Sequence, residues 1–453
     1  MSCIKNIIIT AAVCVSAAIA ASCSDNEEAS ISAIHLDCTD LTLTIGDTYQ
    51  IVARTEPDNV PEGTYVCMSN NYAVASVTED GLVTALTEGS ATITVSALKG
   101  GAYENCRVTV KTPGFNLSEE ETANSYIVSE PGLYKFKPAM GNSTQVIVPA
   151  SVEVLWETFG TSTAPEAGAL VRDVRYENGL VYFSTPDEFV PGNAVIAARN
   201  ESGKILWSWH IWLVDEIGEI VYANNAGILM DRNLGATSAN PGDVGALGLV
   251  YQWGRKDPFP GASSIKQNGS RAATTPEAPD REIMTPATGN IEYTVMNPRV
   301  FLSFDKKVSG VANDWYCNES AGTTDATRWM DTKTMYDPCP PGWKVPRATS
   351  AGLWKTAGIP HAVATPGVDS ENCGIMLGEP YCTPDTWYPC AGHTANGKLN
   401  SGNEGHYWSF STTDMGGKAF SAGLFRFTLT DRIFSADNAY KYLGKSVRCQ
   451  KVE

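Results

Sequence analysis

Histidine is scarce in this chain: five among 453 residues, at positions 35, 210, 361, 393 and 406, with no two of them four apart. That excludes the zinc motifs in which two histidines share one helix face, and neither His-Glu-x-x-His nor Gly-x-Ser-x-Gly occurs. Twelve cysteines are present, but never as Cys-x-x-Cys, so a zinc knuckle and a thioredoxin-type dithiol both fail on spacing. Basic residues are outnumbered, 33 Lys and Arg against 50 Asp and Glu, and the net charge of −17 argues against a nucleic-acid partner and against adsorption to anionic lipid. The phrase LGKS, 443–446, ends like a phosphate-binding loop, yet Ala439 stands where the first glycine belongs and the context is a strand. Beyond residue 21 no apolar run is long enough to span a bilayer.

What is present begins with an address. Lys5 precedes an apolar run from Ile7 to Ala21 that is rich in small residues and reads as a secretory signal, residues 1–22. The run ends in IAASC, which resembles the lipobox of bacterial lipoproteins and marks Cys23 for lipidation, although Ala20 stands where that family usually has Leu. An acidic tether follows, residues 23–30, CSDNEEAS. In lipoproteins of the Bacteroidota such a stretch resembles the signal for export to the outer face of the outer membrane. The resemblance implies a lipid-anchored protein that meets the outer membrane through its anchor and faces the cell exterior.

A chain of 453 residues is too long for one core and predicts about three domains. Residues 31–112 alternate apolar and polar residues in short runs between Gly, Asp, Asn and Pro, which predicts an antiparallel β-sandwich. LTLTIGD, SNNYAVASV and DGLVTALTEGSATITV resemble, in that order, the bacterial Ig-like group 2 domain, a spacer or adhesive repeat. Cys67 occupies the place of the family's core Trp, and Cys38 or Cys106 could pair with it.

Residues 113–216 alternate in the same way and predict a second, Ig-like β-sandwich. ESGK has the composition of a tight hairpin turn, and the strand after it carries Trp207, Trp209, Ile211 and Leu213 on one face. The other face holds Leu206, Ser208, His210 and Trp212; a lone histidine there is expected to be packed and hydrogen-bonded, not a ligand.

From 217 to 453 the character changes, with seven of the eleven tryptophans and cysteines at 317, 339, 373, 382, 390 and 449. Long loops need pinning, and cysteines in an oxidising exterior can supply it. VGALGLVYQWGR predicts a first helix, and PRATSAGLWKTAG a second, capped by Thr349 or Ser350 and stopped at Gly358. YWSFST and SVRC predict buried strands. Cys373 and Cys382 bracket a short loop and could close it, leaving Cys390 and Cys317.

ILMDRNLGAT, GLVYQWGRKDPFPGA, YDPCPPGWKVPRA, YWSFST and GKSVRCQKV occur here in the order found in the Fibrobacter succinogenes major paralogous domain of Bacteroidota surface lipoproteins, which this segment resembles. The resemblance implies an α+β C-type-lectin-like domain, and a disulfide between Cys339 and Cys449, because the two phrases that hold them are hallmarks of the family. In DPCPPGW the prolines hold the chain extended, Gly342 permits a turn and Trp343 anchors it, so the motif is expected to brace the fold. Calcium-dependent sugar binding is not expected, because EPY and WSF lack most of the oxygen ligands that such lectins use.

The expected fold class is therefore multi-domain, two all-β Ig-like sandwiches followed by the α+β lectin-like domain. The expected function is a non-enzymatic surface lipoprotein, an adhesin or a module that binds a glycan or a host or surface protein, without cofactor or metal. Alternatives are a polysaccharide-acting hydrolase with accessory Ig-like domains and a purely structural surface or pilus component. Tyr381, Trp387, Tyr388 and Tyr407 are the candidate ligand contacts, as aromatics displayed on loops suit stacking on sugars or gripping a protein.

Overall fold

The computed structural model describes residues 30–58, 60–61, 63–265, 280–304, 314–316, 326–349, 351–395, 398–400, 403–413 and 421–452. Cys23 with its leader, Cys317 and Ser350 lie outside these residues. The chain divides into two compact units, Met1–Pro113 and Gly114–Glu453.

In the first unit Asp40–Thr44, Tyr103–Lys111, Gly89–Ala97 and Tyr65–Ser69 form one sheet in that order, and Thr48–Gln50, Leu82–Ala85 and Ala75–Val77 a second. Alternation sets the faces. Ala91, Ile93 and Val95 are buried while Thr92, Thr94 and Ser96 are only half-buried, and Cys106, Val108 and Val110 of the neighbouring strand are buried with the first set. With Ile34, Ile51, Val74 and Val83 they make a single sandwich core. Cys67 is buried in that core, but the close sulfur pair is another one: Cys38 Sγ and Cys106 Sγ are 3.5 Å apart.

The second unit begins with the other sandwich. One sheet holds Phe115–Asn116, Leu133–Phe136, Leu180–Ser184 and Arg172–Glu177; the facing sheet holds Ser125–Val128, Ile205–Leu213, Gly192–Arg199 and Ser151–Thr158. The turn predicted at ESGK joins Gly192–Arg199 to Ile205–Leu213, with Gly203 N–H donating to Asn200 O at 2.9 Å and the Asn200 carboxamide oxygen accepting from Ser202 and Lys204. Trp207, Trp209, Ile211 and Leu213 fill the sandwich core with Tyr126, Phe136 and Phe183, as the alternation predicts.

The opposite face of Ile205–Leu213 is equally dry, because the C-terminal part of the chain lies on it. Trp212 joins a core with Met230, Leu234, Leu249 and Trp253, and its indole N–H donates to Ala236 O at 3.0 Å. Ser208 Oγ donates to Asp257 at 2.7 Å, and Asp257 also pairs with Lys256, whose ammonium lies 4.7 Å from the Trp207 ring. His210 is fully buried. Its Nε2 meets Asn193 Oδ1 at 2.9 Å, and since the Asn193 amide nitrogen donates to Gly235 O, Nε2 carries the proton and Nδ1 accepts from Ser125 Oγ at 3.0 Å. Burial lowers His210 to about 3, so it is neutral, a packing residue as the lone position predicted.

The C-terminal part is built from strands in several sheets, most of them short but three of eight to ten residues. One holds Trp343–Lys344, Gln450–Lys451, Gly227–Met230, Glu219–Tyr222 and Cys382–Thr383; another holds His361–Ala364, Arg432–Tyr440, Ser421–Thr428 and Glu404–Thr413. YWSFST lies in the last of these strands, whereas SVRC is buried between Gly444–Lys445 and Gln450–Lys451, its carbonyls accepting from Trp408, Leu234 and Met230.

Two helix expectations are corrected. Within VGALGLVYQWGR only Val244–Ala246 is helical, one 3-10 turn; Gly248 then turns at φ +71° and Val250 bridges Phe259, because the apolar spacing had no helical backbone to sit on. The second helix is a single turn, Leu353–Thr356, that starts from Gly352 with no side-chain cap, while Thr349 Oγ1 accepts from Ala351; Gly358 at φ +85° stops it as expected. Ile291–Met296, capped by Asn290, was not predicted. Among the described residues the second unit is thus β-rich, with helices of one or two turns.

Removing Asp257 leaves Lys256 buried beside Ser208 without its counter-ion, which costs about 3–5 kcal/mol. Asp257→Ala should lower the melting transition of residues 114–453 while the transition of residues 30–113 stays in place, as read by differential scanning calorimetry. His210 gives a second expectation. Its folded pKa lies below its unfolded one, so the unfolded state takes up a proton that the folded state refuses between about pH 6.5 and 3. Stability should fall as pH drops through that window, on the order of 5 kcal/mol from this group, and His210→Gln should flatten the decline in urea titrations.

Candidate functional site

DPCPPGW is held from three sides. Cys339 is disulfide-bonded to Cys449, with Cα atoms 6.0 Å apart and 110 positions between them in sequence. Asp337, buried, accepts from Cys339 N–H at 2.9 Å and Val345 N–H at 3.0 Å, and Lys333 donates to the carbonyls of Cys339, Pro340 and Trp343 at 2.8, 2.7 and 2.6 Å. Burial raises the Asp337 carboxyl and lowers the Lys333 ammonium, each being held charged against desolvation by the other and by backbone groups. From the second sandwich, Asn124 donates to Met335 O and Asp337 O, both at 2.8 Å. Proline removes backbone donors but leaves carbonyls, and Lys333 satisfies them. Lys333, Asp337 and Asn124 were not singled out in the sequence; an ammonium among prolines leaves no pattern to find.

The expected closure of the loop between Cys373 and Cys382 is not made. Cys373 O accepts from Cys390 N–H at 2.8 Å, at the end of the pairing between Gly374–Leu377 and Thr386–Pro389, while Cys382 lies opposite Tyr222 on a different sheet. The pairings of Ile375 with Tyr388 and of Tyr222 with Cys382 place Cys373 just ahead of a strand of one sheet and Cys382 on another, and the two thiols are not bridged to each other.

Three of the four candidate ligand aromatics are not displayed. Trp387 is 3% exposed and Tyr388 and Tyr407 are fully buried; Tyr381 alone is half-buried, packed against the same core. They enclose a cation of the chain itself. The Arg448 guanidinium stands 3.8 Å from the Tyr388 ring centre and 5.7 Å from that of Tyr407, and it donates to Trp387 O at 2.6 Å, Thr386 Oγ1 at 3.1 Å and Asn233 Oδ1 at 3.1 Å. Planar donors match carbonyl and amide oxygens here, and ring faces supply the electron density that a carboxylate would otherwise give. Tyr388 also meets Tyr222 Oη at 2.5 Å and accepts from the Trp354 indole at 3.1 Å. These aromatics are buried around Arg448 and not displayed on loops.

A different polar cluster lies nearby. Strand His393–Ala395 pairs with Gly444–Lys445, His393 opposite Lys445, and Gly392 N–H donates to Glu404 O at 2.9 Å, bringing in strand Glu404–Thr413. The period of two puts Glu404 and His406 on one face. Gly405 between them lies flat on Phe427, where a Cβ would come within 2.3 Å of the ring. His406 Nε2 meets Glu404 Oε2 at 2.7 Å, its Nδ1 meets Lys445 Nζ at 3.1 Å, and the rings of His393 and His406 are 4.8 Å apart. Burial, then the nearby Lys445, lowers His406 well below the usual range and His393 to about 3; burial lowers Lys445 to about 7. Among the described residues, His393, Glu404 and His406 are the group whose donor atoms come within 4.8 Å of one another.

Residues 30–108 match the family described as Bacterial Ig-like domain (group 2). The first unit is an Ig-like module, as its phrases and its sandwich core both imply. No curated protein matches the chain in sequence. Among solved structures, domains 5–6 of the S-layer protein SbsC match at 19% identity over 41% of this chain and 98% of that one, with a TM-score of 0.16. A titin tandem of Ig domains matches at 10% identity over 42% of this chain and all of that one, TM-score 0.16. A GH10 xylanase from termite gut that contains a bacterial Ig-like domain matches at 26% identity over 20% of this chain and 25% of that one, TM-score 0.13. TM-scores this low carry no argument, so the Ig-like nature of the first unit rests on the family match and its own fold.

Loss of the cross-link that spans positions 339 to 449 frees a long loop in the unfolded chain and costs about 2–5 kcal/mol. Cys339→Ser should lower the melting temperature of the second unit and release one titratable thiol, Cys449, while leaving the first unit's transition where it was; a reactive thiol at Cys339 in the parent protein would contradict the bridge.

Proposed function

We propose that the protein is a non-enzymatic cell-surface lipoprotein in which the Ig-like module at residues 30–108 is a spacer and residues 114–453 carry the binding surface for a glycan or a protein. The observation that carries this reading is the Ig-like module itself, matched as a family over residues 30–108 and folded in a compact unit apart from the larger β-rich one. Bacterial Ig-like repeats serve as extracellular spacers or adhesive repeats in the family that the sequence resembles. The anchor at Cys23 and the outer-membrane address follow from the lipobox resemblance. The five ordered phrases from ILMDRNLGAT to GKSVRCQKV support a Fibrobacter succinogenes major paralogous domain with a lectin-like fold in the C-terminal part.

With Trp387, Tyr388 and Tyr407 buried in the core, the ligand surface falls to the loop residues that keep some exposure, of which the half-buried Tyr381 is the sequence-derived candidate. The test is glycan-array and mucin binding by the full chain, with the fragment 30–113 as control. Binding by the full chain and none by the fragment is expected, and Tyr381→Ala should weaken it severalfold, well beyond the small loss of melting temperature that its half-buried packing implies. A full chain that binds no glycan and no host or surface protein ends the adhesin reading. Palmitate labelling in cells, present in the parent and lost in Cys23→Ser, tests the anchor independently.

A further inference from the structure

We propose that His393, Glu404 and His406 form a binding site for one divalent transition-metal ion, zinc by the chemistry of its donors. The three side chains come from two strands that the backbone contact between Gly392 and Glu404 fixes together, and their donor atoms already lie within 4.8 Å of one another. A tetrahedral zinc with bonds of about 2.0–2.1 Å separates its ligands by roughly 3.3 Å. Rotation about terminal side-chain bonds covers that difference.

The donor set decides the metal. Two imidazole nitrogens and one carboxylate suit zinc and its neighbours and do not suit calcium or magnesium, which demand oxygen. Three protein ligands leave a fourth position, and Glu404, 37% exposed at its side chain, opens the cluster to solvent on that side.

Lys445 Nζ lies 3.1 Å from His406 Nδ1 and holds the ring with Nε2 toward Glu404. A metal at Nε2 takes the neutral tautomer whose proton sits on Nδ1, and the Lys445 side chain then turns from that nitrogen. Arg426, opposite His406 on the next strand, is occupied by Asp437 at 2.7 Å and does not compete.

The experiment uses the full chain, purified without a histidine tag and stripped with EDTA. Calorimetric titration with zinc should show one saturable equivalent, and cobalt substitution should give visible d–d bands without thiolate charge transfer. His393→Ala and Glu404→Gln should each weaken zinc binding at least about tenfold, since even outer partners of a ligand contribute that much. Both residues are partly exposed, and their variants should melt with the parent in EDTA. Should His393→Ala fail to fold, the near-isosteric Glu404→Gln decides. No saturable zinc binding, zinc binding unchanged in both variants, or a cobalt spectrum dominated by sulfur each overturns the site.

Discussion

Strand Ile205–Leu213 is buried on both faces, and that constraint organises the second unit. A sheet normally keeps one face for solvent; here eight of nine positions are buried, and each face belongs to a different core. Covering the second face took polar as well as apolar means, because Ser208 and His210 interrupt it. Asp257, Lys256, Asn193 and Ser125 therefore come in as partners that satisfy each buried donor and acceptor, where an unpaired one would cost about 1–3 kcal/mol. The sandwich at 114–216 and the looped region after it consequently share one compact unit.

The same economy of satisfied polar groups runs through the C-terminal part. Most of its strands are short, so much backbone has no ladder partner and finds side chains instead: Lys333 takes three carbonyls, Asp337 two amides, and Arg448 a carbonyl between two aromatic faces. The Cys339–Cys449 bridge adds a covalent tie between the lead-in to Trp343–Lys344 and the lead-in to Gln450–Lys451, two strands that pair directly. DPCPPGW is thus a joint at which prolines set the path and charged side chains absorb what the prolines leave unpaired.

Much of the fold was legible. Period-two alternation located the strands of both sandwiches, the composition of ESGK located a hairpin, and the lone His210 was correctly read as packed. The reading failed where local pattern and tertiary role diverge. VGALGLVYQWGR has helical spacing of apolar residues, but its glycines leave it free to turn, and Val250 and Tyr251 are drawn into pairings with Phe259 and Lys445. Trp387, Tyr388 and Tyr407 sit in a stretch rich in loop residues, yet they enclose Arg448, which lies sixty positions downstream of Tyr388 by number, 448 against 388. Aromatic composition says nothing about which side of a loop the rings take.

By itself the sequence determined the alternation that makes strands, the Ig-like module and the two Cys-bearing phrases, because each is written in neighbouring residues. Only the tertiary structure decided what those residues face. The pairing of Cys38 with Cys106 in space, the second cover on Ile205–Leu213 and the meeting of His393 with Glu404 and His406 all depend on which strands lie side by side. A strand edge carries no label for its partner, and long-range pairing is settled by burial and hydrogen-bond satisfaction over the whole unit.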